Sequence, residues 1–336
     1  MAKRIGRYTV MTECEPAIVG FGSVASKKEG EGPLKEYFDL VEQDTTFGQQ
    51  SWEQAESMIQ KNAVQIALKK AGMSPDQIDV ICAGDLLNQC IGSTFGLAKL
   101  EIPFVGMYGA CSTMAESLAT ATMFLETGAV DTAVAVTSSH FCSSERQFRF
   151  PLEYGSLRTP TSQWTVTGGG AVVLKKGEKG AKIRHLTFGK IFDYGIKDAN
   201  NMGAAMAPAA ADTIKAFLSD TDTTPKDYDG IFTGDLGSVG SELLCQLLEK
   251  DGIDIRDIHR DCGVMIFTPD MQDVHAGGSG CGCSASVLNS FILKEMQKGR
   301  YKNILFVATG ALMSPTSSMQ GENIPSVAHL VNIVGD

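Results

Sequence analysis

Ser74 to Leu86 reads SPDQIDVICAGDL, and 150 residues later Thr224 to Leu236 reads TPKDYDGIFTGDL. Pro75 and Pro225, Asp79 and Asp229, Ile81 and Ile231, Gly84 and Gly234, Asp85 and Asp235, and Leu86 and Leu236 correspond, with Asp76 and Asp227 slightly out of step. The context repeats too. An Ala-rich helical stretch precedes each copy, Trp52 to Ala71 in the first and Ala204 to Leu218 in the second. Each copy then enters an apolar run closed by Gly-Asp-Leu, the pattern of a buried strand opening into a loop. Self-similarity at a fixed period organises a whole chain, so it is read before local propensity.

A second echo lies at an offset of 172, where GACSTMAESL from Gly109 pairs with CGCSASVLNS from Cys281, placing Cys111 opposite Cys283. In the same register DTAVAVTS from Asp131 pairs with NILFVATG from Asn303. Both units run small-residue turn, helix, strand. Helices followed by apolar strands in both halves predict an α/β protein whose parallel sheets are covered by helices. Two similar halves are expected, residues 1–178 and 179–336, with the seam at the polar stretch Lys175 to Gly180. That stretch reads equally well as a solvated hairpin turn.

The 336 residues, 43% of them apolar, are enough for a large core. A formal charge of −10 repels phosphate backbones and argues against nucleic-acid binding. Apolar runs such as Ala129 to Val136 are far shorter than the roughly 20 residues of a spanning helix. MAKRIGRYTV carries basic residues but no apolar stretch after them, so it does not read as a secretory signal. Nine scattered cysteines, with Cys281 and Cys283 as the one close pair, point to reduced thiols rather than a disulfide framework or a zinc site.

Cys111 lies in VGMYGACSTMAESLATATMFLETGAVDTAVAVTSS, where a strand ends, a sharp turn carries the cysteine and an Ala-rich helix begins. A sulfur at a helix N-terminus is expected to be acidified by the dipole and the free N–H groups. With TGGGAVVL from Thr167 and HAGGSGCGCSA from His275, this stretch resembles the thiolase superfamily. More specific segments narrow the likeness. AGDLLNQ at Ala83, SSERQFRFPLEYG at Ser143, AMAPAAADTIK at Ala205, TGDLGSVGS at Thr233, TPDMQ at Thr268 and VATGALMSPTS at Val307 are similar to the stage V sporulation protein AD family over nearly the full length. The resemblance implies a thiolase-like α/β fold of two pseudo-symmetric halves, with helices packed on and between mixed sheets in five layers. It also implies binding of dipicolinic acid, pyridine-2,6-dicarboxylic acid, and a part in moving it across the spore inner membrane. The expected setting is a soluble protein, peripheral on that membrane, working with other spore channel subunits and forming a homodimer through the first half.

The residues weigh against a condensing enzyme of this superfamily. Such an enzyme needs two further groups, two histidines or a histidine and an asparagine, to polarise the thioester carbonyl and hold the enolate. TGDLGSVGS stands where such enzymes carry a His-Gln-Ala-Asn or Asn-Glu-Ala-Phe type motif and has neither His nor Asn, and ATGALMSP lacks the second cysteine of degradative thiolases. Of five histidines, His185 and His259 read as surface residues and His329 as core or cap, leaving His140 and His275 where strand ends should meet Cys111. His275 keeps catalysis by Cys111 open as the alternative.

For a diacid ligand, the N–H groups at Cys111, Ser112 and Thr113 suit carboxylates. Asp85 and Asp235 suit calcium carried with the ligand, because Ca²⁺ takes oxygen ligands, although each Asp could simply cap its loop. The expected ligand site is thus Asp85, Cys111, Ser112, His140 and His275, with no resident cofactor. Arg146 and Arg149 are candidates for a second carboxylate, and equally for ion pairs with Glu145 and Glu153. A scaffold that binds partners and no ligand is the third class.

Overall fold

Alternating burial along the strands sets the layers. A computed structural model describes residues 2–148 and 158–336. The strands that matter here are β1 (Ala17–Ser26), β2 (Val80–Gly84), β3 (Phe104–Met107), β4 (Thr132–Ser139), β5 (Gly168–Lys175), β6 (Lys182–Thr187), β7 (Gly230–Thr233), β8 (His259–Asp261), β9 (Asn303–Ala311) and β10 (Ser326–Val334). In β2, β4 and β5 one set of side chains, Val80, Cys82, Ala133, Ala135, Val172 and Leu174, joins a central core, while Ile81, Ala83, Val134, Val136, Ala171 and Val173 join an outer one. In β9 the split is Ile304, Phe306 and Ala308 inward against Leu305 and Val307 outward. A period of two that is apolar on both faces belongs to sheets covered on both sides.

The helices fill those sides. α1 (Trp52–Ala71) and α2 (Ile91–Leu97) cover the first half, and α5 (Met202–Thr221) and α6 (Gly237–Glu249) the second. Between the sheets lie α3 (Thr113–Thr127) and α7 (Cys281–Val287), the latter continuing through a π-helical stretch to Gln297; α4 (Phe141–Phe148) lies beside the cleft described below. The result is five layers. α1 approaches β1 so closely that a Cβ on Gly20 would lie 2.4 Å from Ala67 O, which is why that position takes no side chain.

Strand order runs β8-β7-β9-β10-β6-β1-β5-β4-β2-β3, a palindrome about the β6–β1 junction. That junction is thin, one paired position at Lys182 and Ala17, with the Ile18 N–H donating to Ala181 O at 2.8 Å and the Ile183 N–H to Pro16 O at 3.0 Å. Lys175 to Gly180 is the connection from β5 to β6.

The repeated turn is the same object twice. Ser74 and Thr224 open short 3₁₀ turns with reciprocal capping boxes. Asp79 Oδ2 then accepts from the Asp131 and Thr132 N–H groups at 2.9 and 3.0 Å, and Asp229 Oδ2 from Lys302 and Asn303 at 2.6 and 2.9 Å. These partners correct the second echo. Thr132 matches Asn303 at an offset of 171, and the Ser112 N–H to Gly109 O bond matches that of Cys283 to Gly280 O. Cys111 therefore stands opposite Gly282, and the Cys111–Cys283 pairing is one residue out, which on a strand moves every side chain to the other face.

Asp79→Ala removes three charge-assisted hydrogen bonds and Asp229→Ala two, at exposed sites, and each should lower stability by about 1 kcal/mol. The costs should add in the double variant to within about 0.5 kcal/mol. Urea denaturation checks this; a cost at one turn and none at the other would break the equivalence.

Candidate functional site

The chain leaves β3 at Met107 and turns sharply into α3, and the turn holds Cys111. Ala110 sits at φ +51, a left-handed conformation that a residue with a Cβ adopts only when its surroundings hold it there. The turn is laced shut by its own donors. Ser112 N and Oγ both donate to Gly109 O, at 3.0 and 2.6 Å, and Thr113 N and Oγ1 to Ala110 O, at 3.3 and 2.5 Å. The N–H groups of Ser112 and Thr113 are thus engaged within the turn, and the Ser112 hydroxyl points at Gly109 rather than at a ligand. β9 presses on the same turn, since a Cβ on Gly310 would lie 2.2 Å from Gly109 O.

Across from Cys111 the second half contributes Asp235, fully buried at the end of β7. Its Oδ1 accepts from Thr309 Oγ1 at 2.9 Å and its Oδ2 from the Gly280 N–H at 2.9 Å and Ser279 Oγ at 3.3 Å. Ser279 Oγ is 3.9 Å from Cys111 Sγ, so one hydroxyl links the thiol and the carboxyl. Burial, opposed by these hydrogen bonds, raises Asp235 to about 6. Burial first and the Asp235 charge second push the Cys111 thiol well above its ordinary value. The expected acidification by the helix terminus is therefore overturned: the sulfur is dry, the nearby N–H groups are engaged, and its neighbour is an acid.

Of these groups Cys111 and Ser279 line a cleft with a cavity volume of about 40 Å³ that opens to solvent, and Asp235 holds Ser279 from outside the lining. Leu86, Phe148, Met202 and Met313 supply apolar walls, and Tyr108, Cys111, Ser144, Glu145, Thr165 and Ser279 the polar atoms. Thr165 Oγ1 donates to Glu145 Oε1 at 2.9 Å. Among the described lining residues there is no Lys, Arg or His.

Of the five expected ligand residues, Cys111 lines this cleft and the other four do not. Asp85 is fully buried, but its carboxylate caps α2, accepting from Ser93 N at 2.8 Å, Ser93 Oγ at 2.6 Å and Leu87 N at 2.9 Å. It is the loop cap that the sequence left open as the alternative. His140 Nε2 donates to Thr45 O at 2.8 Å while Nδ1 accepts from the Cys142 N–H at 3.2 Å; burial lowers its pKa and keeps it neutral. His275, at φ +51, turns toward Asp273, with Nε2 at 3.5 Å from Oδ1. His259 is not a surface residue: it is buried, Nε2 lies 2.8 Å from Thr233 Oγ1, and burial lowers it to about 4. Arg146 pairs with Glu53 and lies over the Trp52 ring, and Arg149 falls outside the described residues. Among the described residues no group of three or more His, Cys, Asp or Glu is placed to hold a metal ion.

Ser279, Thr309 and Glu145 were missed. Their types are unremarkable and their neighbours distant in sequence, so only the repeated Gly-Asp-Leu that flagged Asp235 offered a signal. A condensing enzyme would need a base or amide here; the loop that departs from the superfamily motif instead aims a carboxylic acid at the thiol.

Solved structures similar to this chain include a 3-oxoacyl-[acyl-carrier-protein] synthase III and OleA. 3-Oxoacyl-[acyl-carrier-protein] synthase III from Aquifex aeolicus VF5 aligns with a TM-score of 0.59 at 14% identity, covering 95% of this chain and 99% of the other. A single-residue variant of OleA from Xanthomonas campestris aligns with a TM-score of 0.61 at 15% identity, covering 96% and 99%. At such identity the likeness shows the thiolase-like fold. Sequence relatives are more specific. The chain is 45% identical over 327 residues, 97% of its length and 96% of the relative's, to stage V sporulation protein AD of Bacillus subtilis (strain 168). The family described as stage V sporulation protein AD matches residues 6–334, and the chain belongs to that family of sporulation proteins.

Proposed function

We propose that the chain binds dipicolinic acid in the Cys111 cleft and takes part in its movement into and out of the bacterial spore, without catalysing a reaction. The observation that carries the reading is the Cys111–Asp235 pairing in a cleft with no histidine among its described lining residues. A thiol held protonated is a poor nucleophile, and no neighbouring histidine can take its proton. The flat apolar walls suit the faces of a pyridine ring, and the hydroxyls of Ser144, Thr165 and Ser279 suit its carboxyl edges. A cleft with no cation among its described lining residues favours a ligand that brings its own countercharge, so calcium travels on the ligand. The carboxyls of Asp85 and Asp235 are already engaged by the chain's own donors.

The protein acts as a peripheral member of a spore inner-membrane assembly with other channel subunits. None of the described helices is long and apolar enough to cross a membrane, which fits that placing. A homodimer forms through the first half. β3 pairs with β2 alone among the described strands, so its other edge is open, and Phe104 and Tyr108 stand 39% and 45% exposed beside it. Open edges with exposed aromatics invite pairing with a second copy.

Calorimetry with dipicolinate, and with phthalate and picolinate as controls, tests the ligand. Cys111→Trp should abolish binding by filling the cleft, whereas Cys111→Ala should change affinity by less than about threefold, a margin of roughly 0.65 kcal/mol. Equal damage from both, with acyl-CoA turnover in the wild type, would instead establish a condensing enzyme. Iodoacetamide at neutral pH should label Cys111 slowly, and Asp235→Asn should speed labelling by removing the opposing charge; rapid wild-type labelling would contradict the raised thiol pKa. Analytical ultracentrifugation should show a dimer that Phe104→Glu weakens, and a monomeric wild type would remove the dimer from the proposal.

A further inference from the structure

The polar floor of the cleft turns on one proton. Ser279 Oγ has a single hydrogen and two neighbours, Asp235 Oδ2 at 3.3 Å and Cys111 Sγ at 3.9 Å. The other donors to Asp235 are the Gly280 N–H, Thr309 Oγ1 and the Cys111 thiol, and the Gly280 and Thr309 hydrogens are not available to a ligand while they hold the carboxyl. When Asp235 is ionised it draws the Ser279 hydrogen, so the serine presents lone pairs to the cleft. When Oδ2 carries a proton, that proton can be donated to Ser279 Oγ, and the serine hydrogen is free to rotate toward a bound carboxylate.

We propose that Ser279 is the ligand-contacting donor of the cleft and that Asp235 sets the direction of its hydroxyl, so that a free dicarboxylate ligand enters together with one proton. The inference rests on the carboxylate-binding reading of the cleft given above. Its driving force is the charge around the site. The titratable groups that face Asp235 are Cys111 at the start of α3, Asp261 at the end of β8, Cys262 after it, and Cys281 and Cys283 of α7, while Glu145 and Tyr108 add to the walls. Every one is an acid. Asp261 is itself occupied by Thr233 Oγ1 and the Leu236, Gly237 and Val264 N–H groups, so it offers no donor to relieve Asp235. A dianion meeting Ser279 gains from protonation of Asp235 on the other side of that hydroxyl, which removes a repulsion and frees a donor in one step. The proton comes from solvent and resides on Asp235 Oδ2, and no bond to the ligand is made or broken. Burial already holds Asp235 at about 6, so near neutral pH the cost of adding that proton is small.

The test is calorimetry of the full chain with sodium dipicolinate in calcium-free solution, from about pH 5.5 to about pH 7.5, in buffers of different ionisation enthalpy. The heat against buffer enthalpy should report uptake of close to one proton per ligand at the upper end. Affinity should fall about tenfold per pH unit above the Asp235 pKa and level off below it. Asp235→Asn, whose amide can donate permanently to Ser279, should bind with little pH dependence and no proton uptake. Ser279→Ala should weaken binding at the acidic end by about tenfold, the scale of one hydrogen bond to a charged group. With equimolar calcium the ligand arrives neutralised and proton uptake should fall toward zero. Wild-type binding without proton uptake, or uptake unchanged by Asp235→Asn or by calcium, overturns the inference and leaves dipicolinate binding standing; absence of binding at every pH removes both.

Discussion

Two helices are enclosed between the half-sheets, and the rest of the molecule is arranged to satisfy their ends. From Cys281 to Ile292 the second of them has no residue more than 9% exposed, so its first N–H groups cannot turn to water. The Gly282 N–H is met from the other half, donating to Ser139 Oγ at 3.2 Å, and two more bonds cross at the same end, Thr137 Oγ1 to Cys281 O at 3.0 Å and the Cys281 thiol to Ser138 O at 3.0 Å. The fit leaves no room for a side chain at Gly282, where a Cβ would lie 2.3 Å from Gly168 O. The two halves are therefore tied through the middle layer as well as through the sheet, where β6 pairs with β1 at one position and with Thr9–Met11 at three.

That enclosure also makes the cleft chemistry what it is. Strand ends converge on the two helix starts from both sides, bringing Cys111, Asp235 and Ser279 together although they are far apart in sequence. In a dry site the charge of each group is decided by its neighbours. A histidine beside the thiol would favour the thiolate; the aspartate beside it holds the thiol protonated, while the thiol's hydrogen bond works against the rise that burial gives Asp235. A likeness in fold at such low identity therefore speaks to architecture rather than to activity.

Buried acids extend beyond the cleft. Glu29 and Asp261 are each raised to about 7 and Asp235 to about 6, all by burial. A carboxyl whose folded pKa lies above its unfolded value binds its proton more tightly in the folded state. It contributes stability that is fully present below the unfolded value of about 4 and is lost as pH rises through the folded one. The protein carries these groups against that gradient, the pattern expected where buried polar groups are kept for a role other than stability.

The repeat was legible in the sequence because capping, strand burial and the Gly-Asp-Leu turn are local: Ser74 to Leu86 and Thr224 to Leu236 specify the same turn wherever they stand. The layered α/β class follows from that repetition, and the superfamily from the glycine and cysteine motifs around it. Residue roles were not legible to the same degree. Asp85 and Asp235 look identical in the sequence, yet Ser93 of the following helix satisfies the first, while Ser279, Gly280 and Thr309, distant residues of its own half, hold the second next to Cys111 of the other. His259 sits among charged residues in DIHRD but is drawn inward by Thr233. The offset of the second echo was off by one residue because small residues on both sides match in either register, and only the hydrogen bonds of Asp79 and Asp229 distinguish them. Sequence by itself determined what is decided by neighbours along the chain. Tertiary structure alone decided the site, because whether a carboxyl caps a loop or faces a thiol depends on which distant donors reach it first.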